Sequence, residues 1–295
     1  MINPNTALGL IAALSASFSW TLSCYLWRSQ TNFFSASQLN LIKNIIAFLF
    51  FLPIAFTVNW VSEFKPIIIL LLSGVIGISL GDSFYIRSLR CIGTRRTLSI
   101  ESLTPILANI FGTLFLGEPL SLKSFIGALI VTISLLIISL DMTTSSSEST
   151  ITIRSINSGF YSAIISVICA VIASVLSREI LTTTSLTVFQ TTEIRLIGSL
   201  LPLLLFVRLD LSYIHSELSK RNLIKLLISS ILGTNLGILF QQTVFKTLPL
   251  GIGWTLLSTS PIISLLFARR EGENLNFRVV LLTLSVFLGV TISLL

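Results

Sequence analysis

The chemistry in this chain is concentrated where an otherwise apolar sequence turns charged. Between two long apolar runs lies GDSFYIRSLRCIGTRR, Gly81 to Arg96, which carries Asp82, Arg87, Arg90, Arg95 and Arg96; Glu101 follows shortly after. Carboxylates and guanidinium groups set this close inside apolar surroundings can hold an ionic solute, hand on a proton, or brace one another as an ion pair. Metal and redox chemistry have no comparable foothold. The single histidine, His215, falls in a predicted loop, and Cys24, Cys91 and Cys169 are odd in number and far apart. No disulfide framework, metal site or cofactor is expected from them.

The elements that position these residues follow from composition. Of the 295 residues 53% are hydrophobic and 11% charged, and the mean hydropathy is +0.94. Soluble domains carry about 25% charged residues, so this chain has too little polar skin for water. The apolar runs are continuous and of roughly the 20 residues that a helix needs to cross a bilayer. They do not alternate as barrel strands do. The expected fold is an all-α integral membrane protein with ten transmembrane helices at roughly 7–27, 37–58, 66–89, 96–116, 121–140, 156–178, 187–207, 222–245, 250–268 and 277–295. The first run lacks a basic leader and is long enough to span, so no cleavable signal peptide is expected. The net charge of +7 is read as membrane-flanking Lys and Arg, not as a nucleic-acid surface.

The chain also repeats itself. GISLG (Gly77 to Gly81) lies over GTNLG (Gly233 to Gly237), and Pro105 falls on Pro261 at the same offset. Gly117-Glu118 corresponds to Gly272-Glu273, Arg28 to Arg178, and Lys43 to Arg195. The reading is a first five-helix repeat over 1–142, a Ser/Thr-rich linker TTSSSEST at 143–150, and a second repeat over 151–295. Five is odd, so the second copy enters the membrane inverted, an arrangement common in secondary transporters.

GISLG also fits the G-x-S-x-G nucleophile elbow, but Ser79 lies in a long apolar helix without the strand–turn–helix setting or a histidine partner nearby. Glycines four apart in both halves favour close helix packing instead.

ESLTPILANIFGTLFLGEPLSLKSFIGALIV (Glu101 to Val131), with a Gly-rich third span and a proline in the fourth span of each half, resembles the EamA-type ten-helix exporters of the drug/metabolite transporter superfamily. The resemblance covers the whole chain and is looser in the second half. There Asn274 replaces the usual turn proline and Arg269-Arg270 interrupt the run. It implies export or exchange of a small metabolite, a cavity lined by the third, fourth, eighth and ninth helices, and both termini in the cytoplasm. The count of Lys and Arg at helix ends instead puts both termini outside, so the two expectations oppose each other.

Candidate substrate-binding residues are Asp82, Tyr85, Arg87, Glu101, Asn235, Gln241, Gln242 and Trp254. Asp82 falls near the midplane, where an acid either bonds to a neighbour or contacts protons or a solute amine. Arg87 and Glu101 lie at similar depth either side of the turn at Gly93 and are expected to pair, as a static brace or as a gate. Arg90, Arg95 and Arg96 anchor the interface or form an electropositive mouth. Gln241 and Gln242 diverge by about 100° on a helix, so at most one faces the cavity. Lys43 is expected to snorkel to the interface. Glu193 and Arg195, two apart, each need a partner from another helix.

The sequence thus reads as a multi-pass cytoplasmic-membrane transporter, not an enzyme. Its expected partners are lipid, a small polar metabolite such as an amino acid, and protons. Monomer and homodimer are both open. Facilitative exchange without ion coupling is the first alternative. A membrane-embedded enzyme or assembly factor is the second.

Overall fold

The computed structural model describes residues 4–31, 33–141, 153–208, 219–263 and 277–295. Within them the chain is helical, with no strand. Seven helices are long and apolar enough to cross a membrane: α1 (Pro4–Gln30), α2 (Ala36–Ala55), α3 (Phe64–Thr94), α4 (Arg96–Leu116), α6 (Ile156–Thr183), α7 (Val188–Phe206) and α8 (Lys220–Thr247). The shorter apolar helices are α5 (Leu122–Ile138), α9 (Leu250–Ile263) and α10 (Val280–Leu294). Each expected span meets one of them. Exposed Leu204, Leu205 and Phe206, like Leu8 and Ile11 on α1, present the apolar outer face that lipid requires. The linker 143–150, His215, and the segment with Arg269, Arg270, Glu273 and Asn274 lie outside the described residues.

Helix packing maps onto itself when each helix is exchanged with the one five places along. α1 packs on α8 as α6 packs on α3; α2 packs on α7, α4 on α9 and α5 on α10. Local chemistry follows the same rule. Ser35 caps α2 in a reciprocal capping box with Gln38, and Thr187 caps α7 in the same way with Gln190. Both helices carry an internal proline, Pro53 and Pro202. α3 and α8 each widen into π-helix, over Val75–Gly81 and Ser230–Leu236. The Asp82 N–H reaches back five residues to the Gly77 carbonyl, and the Gly237 N–H to the Leu232 carbonyl.

The expected packing glycines sit in these wide turns. A Cβ at Gly77 would strike Ala173 of α6, one at Gly233 would strike Ser23 and Trp27 of α1, and one at Gly74 would enter the Arg195 backbone. Small residues let the backbones approach without a clash. Widening also frees carbonyls. The Asn40 amide donates to the carbonyls of Ile78 (2.8 Å) and Ser79 (3.0 Å); from the second wide turn, the Asn235 amide itself donates to the Ala47 carbonyl of α2 (3.0 Å). Gly93, with φ 82 and ψ 169, breaks the helix between α3 and α4.

Candidate transport site

The centre of the bundle holds an open space of about 910 Å³, counting its mouth. Helices from both halves line it. α3 brings Asp82 and Tyr85, α4 Glu101, α6 Ser166, α7 Arg195, α8 Gln241, and α9 Trp254 and Ser258. Ala16, Ser17 and Trp20 of α1 complete the wall.

Asp82 follows the π-helical turn directly, and its carboxylate is held by Lys43. Lys43 is fully buried on α2, its Nζ lies 2.5 Å from Asp82 Oδ2, and it also sits 5.1 Å from the centre of the Trp27 ring. Snorkelling was the expectation for Lys43. The buried pair replaces it, because an acid at this depth needs a cation close by. One turn on, Tyr85 is buried; its hydroxyl accepts from Trp20 Nε1 at 3.2 Å and lies 2.9 Å from Cys24 Sγ. Glu101 accepts from the Ser166 hydroxyl at 3.2 Å. Trp254 donates its indole N–H to Ser174 at 3.1 Å and packs on Phe245.

The expected Arg87–Glu101 pair does not form among the described residues. Arg87 is exposed, and its Nη2 donates to Ser158 of α6 at 3.0 Å. Tyr85 faces the cavity, and residues two apart on a helix point to nearly opposite sides, so Arg87 turns away from it. Asn235 is likewise no cavity residue. It is buried in the π-helix and ties α8 to α2. Of the two glutamines, Gln241 lines the cavity while Gln242 is buried outside its lining.

Sequence reasoning did not place Arg195 at this site. The residue is 4% exposed, lines the cavity, and keeps Nε and Nη1 without an acceptor among the described residues. Glu193, two residues earlier on α7, is fully buried, and neither of its carboxylate oxygens meets a donor there. The usable signal was a cation placed in a transmembrane run at the position matching Lys43.

At the end of the bundle where α4 meets α5, Gly117 turns the chain with φ 65 and Glu118 folds inward. Glu118 binds the Arg178 guanidinium of α6 and accepts the Leu250 N–H of α9 at 2.8 Å; Arg178 also donates to the Phe245 carbonyl of α8. One carboxylate of the first half thus ties two helices of the second directly and reaches a third through Arg178.

The pattern of the EamA-like transporter family matches this sequence twice, over residues 7–140 and 157–295. The chain belongs to that family. It is therefore a multi-span membrane transporter of the drug/metabolite transporter superfamily. An uncharacterized transporter of Archaeoglobus fulgidus is 26% identical over 133 residues, 44% of this chain and 48% of that protein. The match thus spans about half the length of that relative. A solved crystal structure described only as a protein superposes with a TM-score of 0.73 at 14% identity, covering 97% of this chain and 96% of its own. At that identity the likeness concerns the fold.

Proposed function

We propose that this member of the EamA-like family is a secondary transporter exporting a small polar metabolite across the cytoplasmic membrane by alternating access. The observation that carries this reading is the central cavity, which places Asp82, Glu101 and Arg195 among hydroxyl and indole groups at the meeting of both halves. Two inverted five-helix repeats supply the motion. Rocking one against the other opens the cavity to each side in turn, and the five-place exchange in helix packing supports that arrangement. Asp82, Glu101 and Gln241 contact the solute, while Tyr85 and Trp254 form its walls.

The test compares solutes released by cells expressing the wild type, the Glu101→Gln variant or an empty vector, with equal membrane expression verified. A metabolite enriched outside only with the wild type supports export. No difference across a broad panel, together with no exchange in proteoliposomes, overturns the reading.

A second reading, facilitative exchange without ion coupling, draws on the Lys43–Asp82 pair. An acid already held by a fixed buried cation is poorly placed to carry a proton through each cycle. Counterflow that ignores an imposed proton gradient would select this reading.

A further inference from the structure

We infer that Arg195 is the anion-binding residue of the central cavity, so that the transported solute carries a carboxylate. This rests on the transporter reading above and names the chemical class of the solute.

The argument starts from the two corresponding cations. Lys43 stands eight residues after the capping Ser35, and Arg195 eight residues after the capping Thr187. Each therefore sits at the same height on its own helix, and α2 and α7 pack on each other. Their environments differ in one respect. Lys43 has an acid, Asp82, which directly follows the glycine pair of α3. The residue directly following the glycine pair of α8 is Ile238, a buried aliphatic side chain that lines the same cavity. The second half has kept the cation and carries no acid at the matching place.

The rest of the cavity does not make up the difference. Asp82 is close enough to Arg195 for a Coulombic attraction, but its hydrogen bond goes to Lys43. Glu101 is hydrogen-bonded by Ser166 on the α4–α6 side. Glu193 shares a helix with Arg195 but points away from it, two residues apart. Arg195 Nε and Nη1 consequently have no acceptor among the described residues. A buried guanidinium with unmet donors is costly, and here it borders the central cavity.

The surroundings also make room for it. A Cβ at Gly77 would come 3.2 Å from Arg195 Nη2 and would strike Ala173. Glycine at that point leaves the guanidinium its space beside the cavity. A planar cation with several fixed donors suits a carboxylate better than a neutral group, because charge-assisted hydrogen bonds are the stronger ones.

The experiment is counterflow in proteoliposomes with matched probes: L-leucine and L-leucinamide, succinate and succinamide. The wild type should exchange at least one carboxylate and discriminate against its carboxamide. Arg195→Gln should lower carboxylate counterflow by at least about tenfold, the loss expected for a hydrogen bond to a charged group. Arg195→Lys, which keeps the charge, should fall between the two. Ile238→Asp should supply the missing acid in place of the solute. It should abolish carboxylate counterflow while its unfolding temperature in detergent stays at or above that of the wild type, so lost transport cannot be ascribed to lost folding. Wild-type-like carboxylate exchange by Arg195→Gln or by Ile238→Asp overturns the inference, and so does equal wild-type exchange of acids and amides; in these cases transport itself still stands. No wild-type exchange of either acid overturns the inference; the function on which it rests falls only if the broad panel of released solutes shows no difference as well.

Discussion

Lys43 Nζ lies 2.5 Å from Asp82 Oδ2 while the same ammonium rests 5.1 Å from the centre of the Trp27 ring. Three helices thus meet on one buried cation. The carboxylate side is 14% exposed and the lysine side 0%, so the pair presents its acid to the cavity and hides its base. Removing the base alone leaves an acid deep in the bundle without its partner. Lys43→Met should lower stability by about 3–5 kcal/mol, the cost of breaking a buried pair. Lys43→Met with Asp82→Leu should recover much of that loss. Thermal unfolding of the four proteins of the cycle in detergent measures the coupling; additive losses would show that the pair contributes nothing.

The contrast between Arg87 and Glu101 gives a second prediction. Arg87 is exposed and bonded to Ser158, whereas Glu101 lines the cavity. Arg87→Ala should leave transport near the wild-type rate and shift stability by no more than about 0.5 kcal/mol, as exposed positions generally do. Glu101→Gln should change transport strongly at equal membrane expression. Equal effects of both substitutions on solute release would contradict this division of roles.

The carboxylate of Glu118 ties α6 and α9 to the turn after α4, and Arg178 extends the tie to α8. Breaking that tie should let the bundle part at this end. In a cysteine-free background, a cysteine placed at Ser258 on the cavity wall reports its opening. Labelling by a membrane-impermeant thiol reagent should rise several-fold when Glu118→Gln or Arg178→Ala is added. Unchanged labelling from both faces would mean that the tie does not hold the cavity shut.

Gly117 adopts φ 65, and a Cβ there would meet nothing within 4 Å. Any penalty for a side chain is therefore conformational. Gly117→Ala should cost about 1–2 kcal/mol from the left-handed backbone alone, and Gly117→Asn clearly less, because asparagine tolerates that region. Thermal unfolding of the two variants side by side decides it; equal losses would point to a cause other than backbone conformation.

The ten spans and the packing role of the glycine pairs were legible in the sequence because they depend on run length and on side-chain size. Which way individual polar side chains point was not. Arg87 and Asn235 were expected at the cavity and lie elsewhere. Asn235 lies inside a π-helical stretch, where its amide reaches the Ala47 carbonyl of α2. Arg87 was placed by its depth from the turn at Gly93, which fixes height but not direction, and it stands two residues from Tyr85, which takes the cavity side. Lys43 was misread for a different reason. Its distance from the span end suggested an interface anchor, although Asn40, Lys43 and Asn44 share one buried face of α2. Only the packing of α2 on α3 reveals what that cation faces.

The tie at Glu118 also bears on how the protein is made. Its acceptor oxygen waits for the Leu250 N–H, 132 residues further along the chain. At roughly 5–20 residues per second, synthesis delivers that partner about 7–26 s after Glu118 itself. Arg178, made earlier, takes one oxygen of that carboxylate, while the other stays open to water until α9 is in place. A chain that stops before α9 therefore keeps the Glu118–Arg178 pair but lacks the backbone donor that joins it to α9.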